Sequence, residues 1–156
     1  MKIKFIVTGK TNNHYLIEGE KDYEQRLKHY CKFTELILLD IKYGSKLSKS
    51  KLLNKEGKLI LKKLSPNDEI ILLDENGESF SSLAFSKFLE KKMFHSTKTL
   101  VFIVGGAFGF SEEVYEKANL KMSLSKMTFT HQMVRMIFKE QLYRAFTIIK
   151  GEKYHN

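Results

Sequence analysis

Three stretches in the last third of the chain have the residue types and spacing to do chemistry. The first is Gly105, Gly106, Ala107, Phe108 and Gly109, directly after the apolar run 100–104. Glycines there remove Cβ atoms and permit positive φ, so backbone N–H groups can approach a ligand closely. The string lacks the lysine of a phosphate loop and the length of a dinucleotide fingerprint, and a tight strand-to-helix turn is its plainer explanation. The second is the polar loop 125–130, with Met127 and Phe129 interleaved, which follows another short apolar run at 120–124. The third is the helical pattern 131–150: His131 and Arg135 lie one turn apart on one face, and Arg144 points roughly the other way. Glu140 and Arg144 have the spacing of an ordinary i,i+4 ion pair. The polar, aromatic tail ends in Lys153, Tyr154, His155 and Asn156. Two strand ends followed by such loops, set before a helix, are what a parallel α/β sheet needs to hold a small polar cofactor above its carboxyl edge.

Other candidates are weaker. Asp74 and Glu75 are adjacent, and adjacent strand residues point to opposite faces, so a polar turn explains them better than acid–base chemistry does. His14 and His29 have no second metal-type ligand at a recognised spacing and read as surface histidines, so no metal is expected. Cys31 is the only cysteine, which excludes an internal disulfide and fits a reducing cytoplasm. No apolar run approaches the ~20 residues of a membrane span, and the N-terminus enters a Gly-Lys turn where a signal peptide would have small residues. The formal charge of +9, from 27 Lys and Arg against 18 Asp and Glu, favours polyanionic partners, RNA above all, although an abundance of lysine also serves simple solubility.

The elements that must position these residues follow from periodicity. At 156 residues the chain, 1–156, suits one domain. Residues 2–7 read as a buried first strand stopped by Gly9, and residues 14–31 as a helix with Leu16, Tyr23, Leu27 and Tyr30 inward. A second strand is expected over 33–41. From Lys42 to Lys63 there are eight lysines and no aspartate; a loop running into an amphipathic helix accounts for the pattern, as a phosphate-facing arm or as the solvated face of a covering helix. Gly57 weakens that helix. A turn around Pro66, a third strand over 69–73 closed by residues 74–77, and a helix capped by Ser81 or Ser82 come next, the helix facing Leu83, Phe85, Phe88, Leu89 and Met93 inward. Strands at 100–104 and 120–124 flank a helix starting at Glu112 behind Ser111, and Thr128 or Thr130 caps the last helix. That helix has too wide an apolar set for one stripe: Val134, Phe138, Leu142, Ala145 and Ile149 on one face, Met133, Ile137, Met136, Tyr143 and Phe146 around it. It is either central to the domain or shared with a second copy in a homodimer.

Read as strings, GGAFG, then LSKMTFTHQMVR, then EQLYRAFTIIKGEKYH, with the opening MKIKFIVTGK, closely resemble the bacterial ribosomal large-subunit pseudouridine N3-methyltransferase family, a branch of the SPOUT superfamily. The resemblance covers the whole chain and is densest from Val101 onward. It implies an α/β sheet, mostly parallel and flanked by helices, whose C-terminal segment threads a deep trefoil knot, and an obligate homodimer. It implies an S-adenosylmethionine pocket at Leu73, Gly105, Leu124, Ser125, Lys126, Met127, Thr128 and Phe129. It puts His131, Arg135 and Arg144 near the reaction centre, with Tyr154 and His155 closing over it. The expected roles are proton removal from N3 by His155 or His131, and charge stabilisation or phosphate binding by Arg144 or Arg135. The implied substrate is a pseudouridine of 23S rRNA in the assembled 70S ribosome. A SPOUT enzyme acting on tRNA, or a non-catalytic ribosome-binding factor, would share much of this pattern. The chain departs from the family at Thr130, where proline is common, and at Phe108 and Phe110, where smaller or polar residues are usual.

Overall fold

The computed structural model describes residues 1–42, 47–95 and 99–155. Its strands are β1 (Lys2–Thr8), β2 (Lys32–Leu38), β3 (Asp68–Ser79), β4 (Thr99–Val104) and β5 (Leu120–Ser123). Its helices are α1 (His14–Leu27), α2 (Lys49–Leu61), α3 (Ser82–Phe94), α4 (Glu112–Lys117) and α5 (His131–Lys150). The strands form one parallel sheet in the order β2-β1-β4-β3-β5, the expected α/β class.

Both faces of the sheet are covered, which is why its strands are apolar without strict alternation. Ile3, Phe5 and Val7 of β1 and Leu100, Phe102 and Val104 of β4 pack with Leu27, Phe85, Leu89, Phe138, Leu142, Ala145 and Phe146, so α1, α3 and α5 lie on one face. Ile6, Val101 and Ile103 meet Ile60, Phe110 and Val114 on the other, under α2 and α4. The wide apolar set of α5 follows from its place between α1 and α3. Phe138 sits between the rings of Phe5 and Phe102, at 4.8 and 4.7 Å, and Tyr143 is covered by Tyr23, Tyr30 and Tyr154.

Several boundaries differ from the sequence reading. α1 ends at Leu27, and Tyr30 and Cys31 continue only as a turn, both donating to the Leu27 carbonyl. β2 stops at Leu38, before the exposed Leu39. β3 does not end at Leu73: it bulges and pairs again with β5 through Glu78 and Ser79, so residues 74–77 belong to an irregular strand. β5 itself ends at Ser123. Leu83 and Met93 are exposed, because α3 turns only its Phe85–Leu89 side to the sheet. Ser81 and Thr130 are the caps, donated to by Ala84 N and Met133 N. Gly57 has a reason to interrupt α2: a Cβ there would stand 2.2 Å from Ser111 Oγ, so the glycine lets α2 settle on the start of α4. Part of the basic loop, residues 43–46, lies outside the described residues, as does Asn156 of the tail. Among the described residues no helix is long and apolar enough to cross a membrane.

Buried charge locks α5 to α1 and β2. Lys139 Nζ is fully buried and donates to Glu20 Oε2 at 2.6 Å and Glu24 Oε1 at 2.5 Å. Glu35 Oε1 of β2 lies 3.0 Å away as an ion pair outside hydrogen-bond geometry. Burial alone would lower the lysine's pKa, but the glutamates outweigh it and the net shift is upward. Replacing Lys139 by Met therefore leaves three uncompensated carboxylates and should cost about 3–5 kcal/mol in urea unfolding. Because the folded pKa is raised above 10.5, the lysine's contribution should be complete below that pH and be lost only as pH rises through the higher folded value.

Candidate functional site

The carboxyl ends of β3, β4 and β5 open into a cavity of about 660 Å³, within the range of small-ligand sites. Its floor is Leu73, Val104 and Met122; its walls are the glycine loop 105–110 and the loop 123–130. The glycine loop folds on itself: Gly109 takes φ +83° and donates to the Gly106 carbonyl at 3.2 Å. A Cβ on Gly105 would stand 2.7 Å from the Gly109 carbonyl oxygen, so the turn depends on glycine at both positions. Ser111 occupies the N-cap position of α4 but makes no capping bond; its Oγ is buried without a partner among the described residues.

The second wall is tied internally and to β3. Ser123 Oγ donates to the Ser125 carbonyl at 2.8 Å, and Met127 N to Ser125 Oγ at 2.9 Å. Thr128 Oγ1 donates to Glu75 Oε2 at 2.9 Å. On the opposite side Tyr115 Oη donates to Asp74 Oδ2 at 2.6 Å; burial first, then that bond, push the phenol up to about 12. Asp74 and Glu75 thus anchor one wall each. Sequence reasoning passed over them as turn residues, and only the extension of β3 beyond Leu73 shows why both face the cavity. Tyr115, Asn76 and Lys49 also line it without having been singled out.

Of the eight residues expected at a cofactor pocket, seven line the cavity: Leu73, Gly105, Leu124, Ser125, Met127, Thr128 and Phe129. Lys126 is exposed and outside the lining. His131 stands on the rim. Arg135 does not reach the cavity. It is 1% exposed and donates to the carbonyls of Thr8 (2.6 Å) and Gly9 (2.9 Å) and to Thr11 Oγ1 (3.1 Å), so it fixes the end of β1 below His131.

Arg144, Tyr154 and His155 are elsewhere. Thirteen helical steps lead from His131 to Arg144, a rise of roughly 20 Å. There Arg144 grips Glu140 Oε1 through Nε and Nη2 at 2.9 and 2.6 Å and stacks over Tyr154 at 4.7 Å. Tyr154 Oη donates to the same Glu140 oxygen at 3.1 Å and lies 3.3 Å from Tyr23 Oη. His155 Nδ1 is buried and unpaired among the described residues.

Residues 1–155 match the family model described as "Predicted SPOUT methyltransferase". The chain belongs to the SPOUT methyltransferase family. Proteins named ribosomal RNA large subunit methyltransferase H are similar over the full chain: 55% identical in Flavobacterium psychrophilum, 56% in Flavobacterium johnsoniae and 53% in Parabacteroides distasonis, each alignment spanning 100% of this chain and 99% of the relative. Among solved structures, a methylase family protein from Haemophilus influenzae superposes at TM-score 0.49 with 11% identity, covering 99% of this chain and 70% of that one, a likeness too distant to add to the argument.

Within this SPOUT chain the electrostatics single out His131. Partial burial, then the positive charge of Arg135, hold its pKa below 6.5, against a smaller upward pull from Asp40. The imidazole is therefore neutral at pH 7 and free to accept a proton. In an NMR titration His131 should titrate below 6.5, and Asp40→Asn should lower it further, since the removed carboxylate favours the charged form.

Proposed function

We propose that this chain transfers a methyl group from S-adenosylmethionine to N3 of a pseudouridine in 23S rRNA of the assembled 70S ribosome, as a cytoplasmic homodimer of single-domain subunits. The observation that carries the reading is the cavity at the carboxyl edge, lined by seven of the residues the family resemblance assigns to the cofactor and rimmed by His131. The residues present fit the group: backbone and apolar side chains suit an adenine, and the carboxylates of Asp74 and Glu75 suit ribose hydroxyls and a cationic sulfonium centre. When bound, S-adenosylmethionine supplies the activated methyl carbon.

The protein's share is to orient and deprotonate. Ties from Ser125, Thr128 and Tyr115 hold both walls fixed, and orientation of bound reactants can lower a barrier by about 7–11 kcal/mol. His131, neutral on the rim, is placed to accept the N3 proton directly or through water. Arg135 acts by fixing the end of β1 beneath it. Arg144, Tyr154 and His155, roughly 20 Å along α5 by helical rise, serve the cavity of a second copy, which is why a dimer is required. The trefoil knot is part of the same reading, and what supports it is close contact: β5 lies against β3 at both Leu73 and Glu78, and a Cβ on Gly77 would stand 2.5 Å from the Lys121 backbone.

The exposed lysines of α2 and its C-cap, Lys51, Lys55, Lys58 and Lys62, hold phosphates without reading sequence. Glutamine at Lys51, Lys55 and Lys58 should weaken ribosome binding and reduce the slope of log K against log salt by roughly 0.7–0.9 for each phosphate left without its lysine.

The primary test is transfer of labelled methyl to 70S ribosomes from cells lacking this activity, beside free 23S rRNA and tRNA. Label mapped to one pseudouridine of the 70S sample is expected; label in tRNA reassigns the substrate, and ribosome binding without label makes the chain a binding factor. Subunit roles are tested by mixing inactive His131→Ala and Arg144→Ala copies. Heterodimers should regain up to half the wild-type turnover per active dimer formed, whereas a same-subunit site predicts no recovery.

A further inference from the structure

A second, smaller cavity of about 190 Å³ adjoins the first, at the carboxyl ends of β1 and β2 and under α2. The two share Gly106, Ala107, Phe108 and His131, so a ring seated in the small cavity meets the contents of the large one across that common wall. Lys10 and Lys42, both exposed, flank it, and Asn12, Asp40, Glu56 and Gln132 supply its polar lining.

Glu56 is the unusual member. Only two acids are buried among the described residues, Glu20 and Glu56, at 6% and 7% exposure. Glu20 is met by Lys139 and Thr11; Glu56 has no hydrogen bond or ion pair to any described residue. Its carboxylate is pressed on the backbone of Gly106, where an added Cβ would stand 2.9 Å from both oxygens, and burial first, then the charge of Asp40, raise its pKa. A buried carboxylate without a donor is costly. One held at the edge of a cavity is an acceptor waiting for an N–H.

On the reading given under Proposed function, the ring beside the cofactor presents N3 to the shared wall. In pseudouridine the glycosidic carbon C5 lies two ring positions from N3 on one side, and N1, carrying a hydrogen, lies two positions away on the other. The ribose therefore leaves by one flank while N1–H points to the opposite wall. In uridine N1 is the glycosidic atom and bears no hydrogen. We propose that the small cavity seats the target base and that Glu56 accepts the N1–H of pseudouridine, making this residue the discriminator against uridine. Lys10 and Lys42 at the mouth then meet the flanking phosphates.

The test compares 70S ribosomes carrying pseudouridine at the target position with ribosomes from cells that leave uridine there. Wild type should prefer pseudouridine in kcat/KM by at least ~10³-fold, since a site built to bond an N–H rejects an analogue lacking it strongly. Glu56→Leu should lower kcat/KM on pseudouridine by ~10²-fold or more and raise the slow rate on uridine, because no carboxylate is then left unpaired, so that the preference collapses; Glu56→Gln, which keeps an acceptor oxygen, should fall between. S-adenosylmethionine affinity, measured calorimetrically, should stay within about twofold in both variants. An undiminished preference in both variants overturns the proposal, and so does loss of cofactor affinity in both, which would assign Glu56 to the first cavity. Wild type inactive on both ribosomes would instead overturn the proposed function on which this inference rests.

Discussion

A lysine with no exposure to solvent, surrounded by three glutamates from two other elements, is the constraint on which this structure turns. Lys139 comes from α5, Glu20 and Glu24 from α1, and Glu35 from β2. Buried charges are expensive to desolvate, and such a cluster contributes less net stability than an apolar substitute of the same shape would. What it supplies is registry. α5 is apolar on several sides and could slide or rotate against α1 with little loss of burial; Lys139 admits one azimuth and one axial position. Thr11 Oγ1, which donates to Glu20 Oε1 at 2.7 Å and accepts from Arg135, connects the cluster to the end of β1.

Once α5 is fixed, both functional regions are fixed with it. Its first turn carries His131 to the rim of one cavity and into the wall of the other. One turn further, Arg135 holds the carbonyls at the end of β1, so the strand end under His131 and the histidine itself are set by the same helix. Its last turns carry Arg144 and, through the turn at Gly151, Tyr154 and His155. The Glu140–Arg144–Tyr154 arrangement holds the tail against the helix. The pair that sequence spacing explains as an ordinary ion pair is therefore also the clamp of a terminus that would otherwise fray.

The strands, the order of elements and the α/β class were legible because continuous apolar runs bounded by glycine and polar turns leave few alternatives. The lining of the large cavity was legible from the resemblance of loop 124–129, and in part from glycine chemistry at Gly105 and Gly109. What the chain did not disclose is tertiary. Asp74 and Glu75 looked like a turn because nothing local says that β3 resumes at Glu78. Gly57 looked like a defect because its reason, Ser111 Oγ, lies far along the chain on another element. Arg135 and His131 share a helix face, yet one is sealed beneath the sheet edge and the other stands at a rim. Glu56 reads as one acid in a lysine-rich amphipathic helix until the fold shows it buried against Gly106 with no ion pair to a described residue.

A rigid α5 also acts as a ruler. One residue inserted between Lys139 and Arg144 would rotate everything beyond it by about 100° and advance it by about 1.5 Å, turning the Arg144–Tyr154 group away from its present bearing while the buried lysine kept the first half in place. Length change in descendants of this chain is therefore confined to the loops on the amino side of α5 and to the surface turns. The helix itself can drift in sequence on its outer positions, but not in its number of residues.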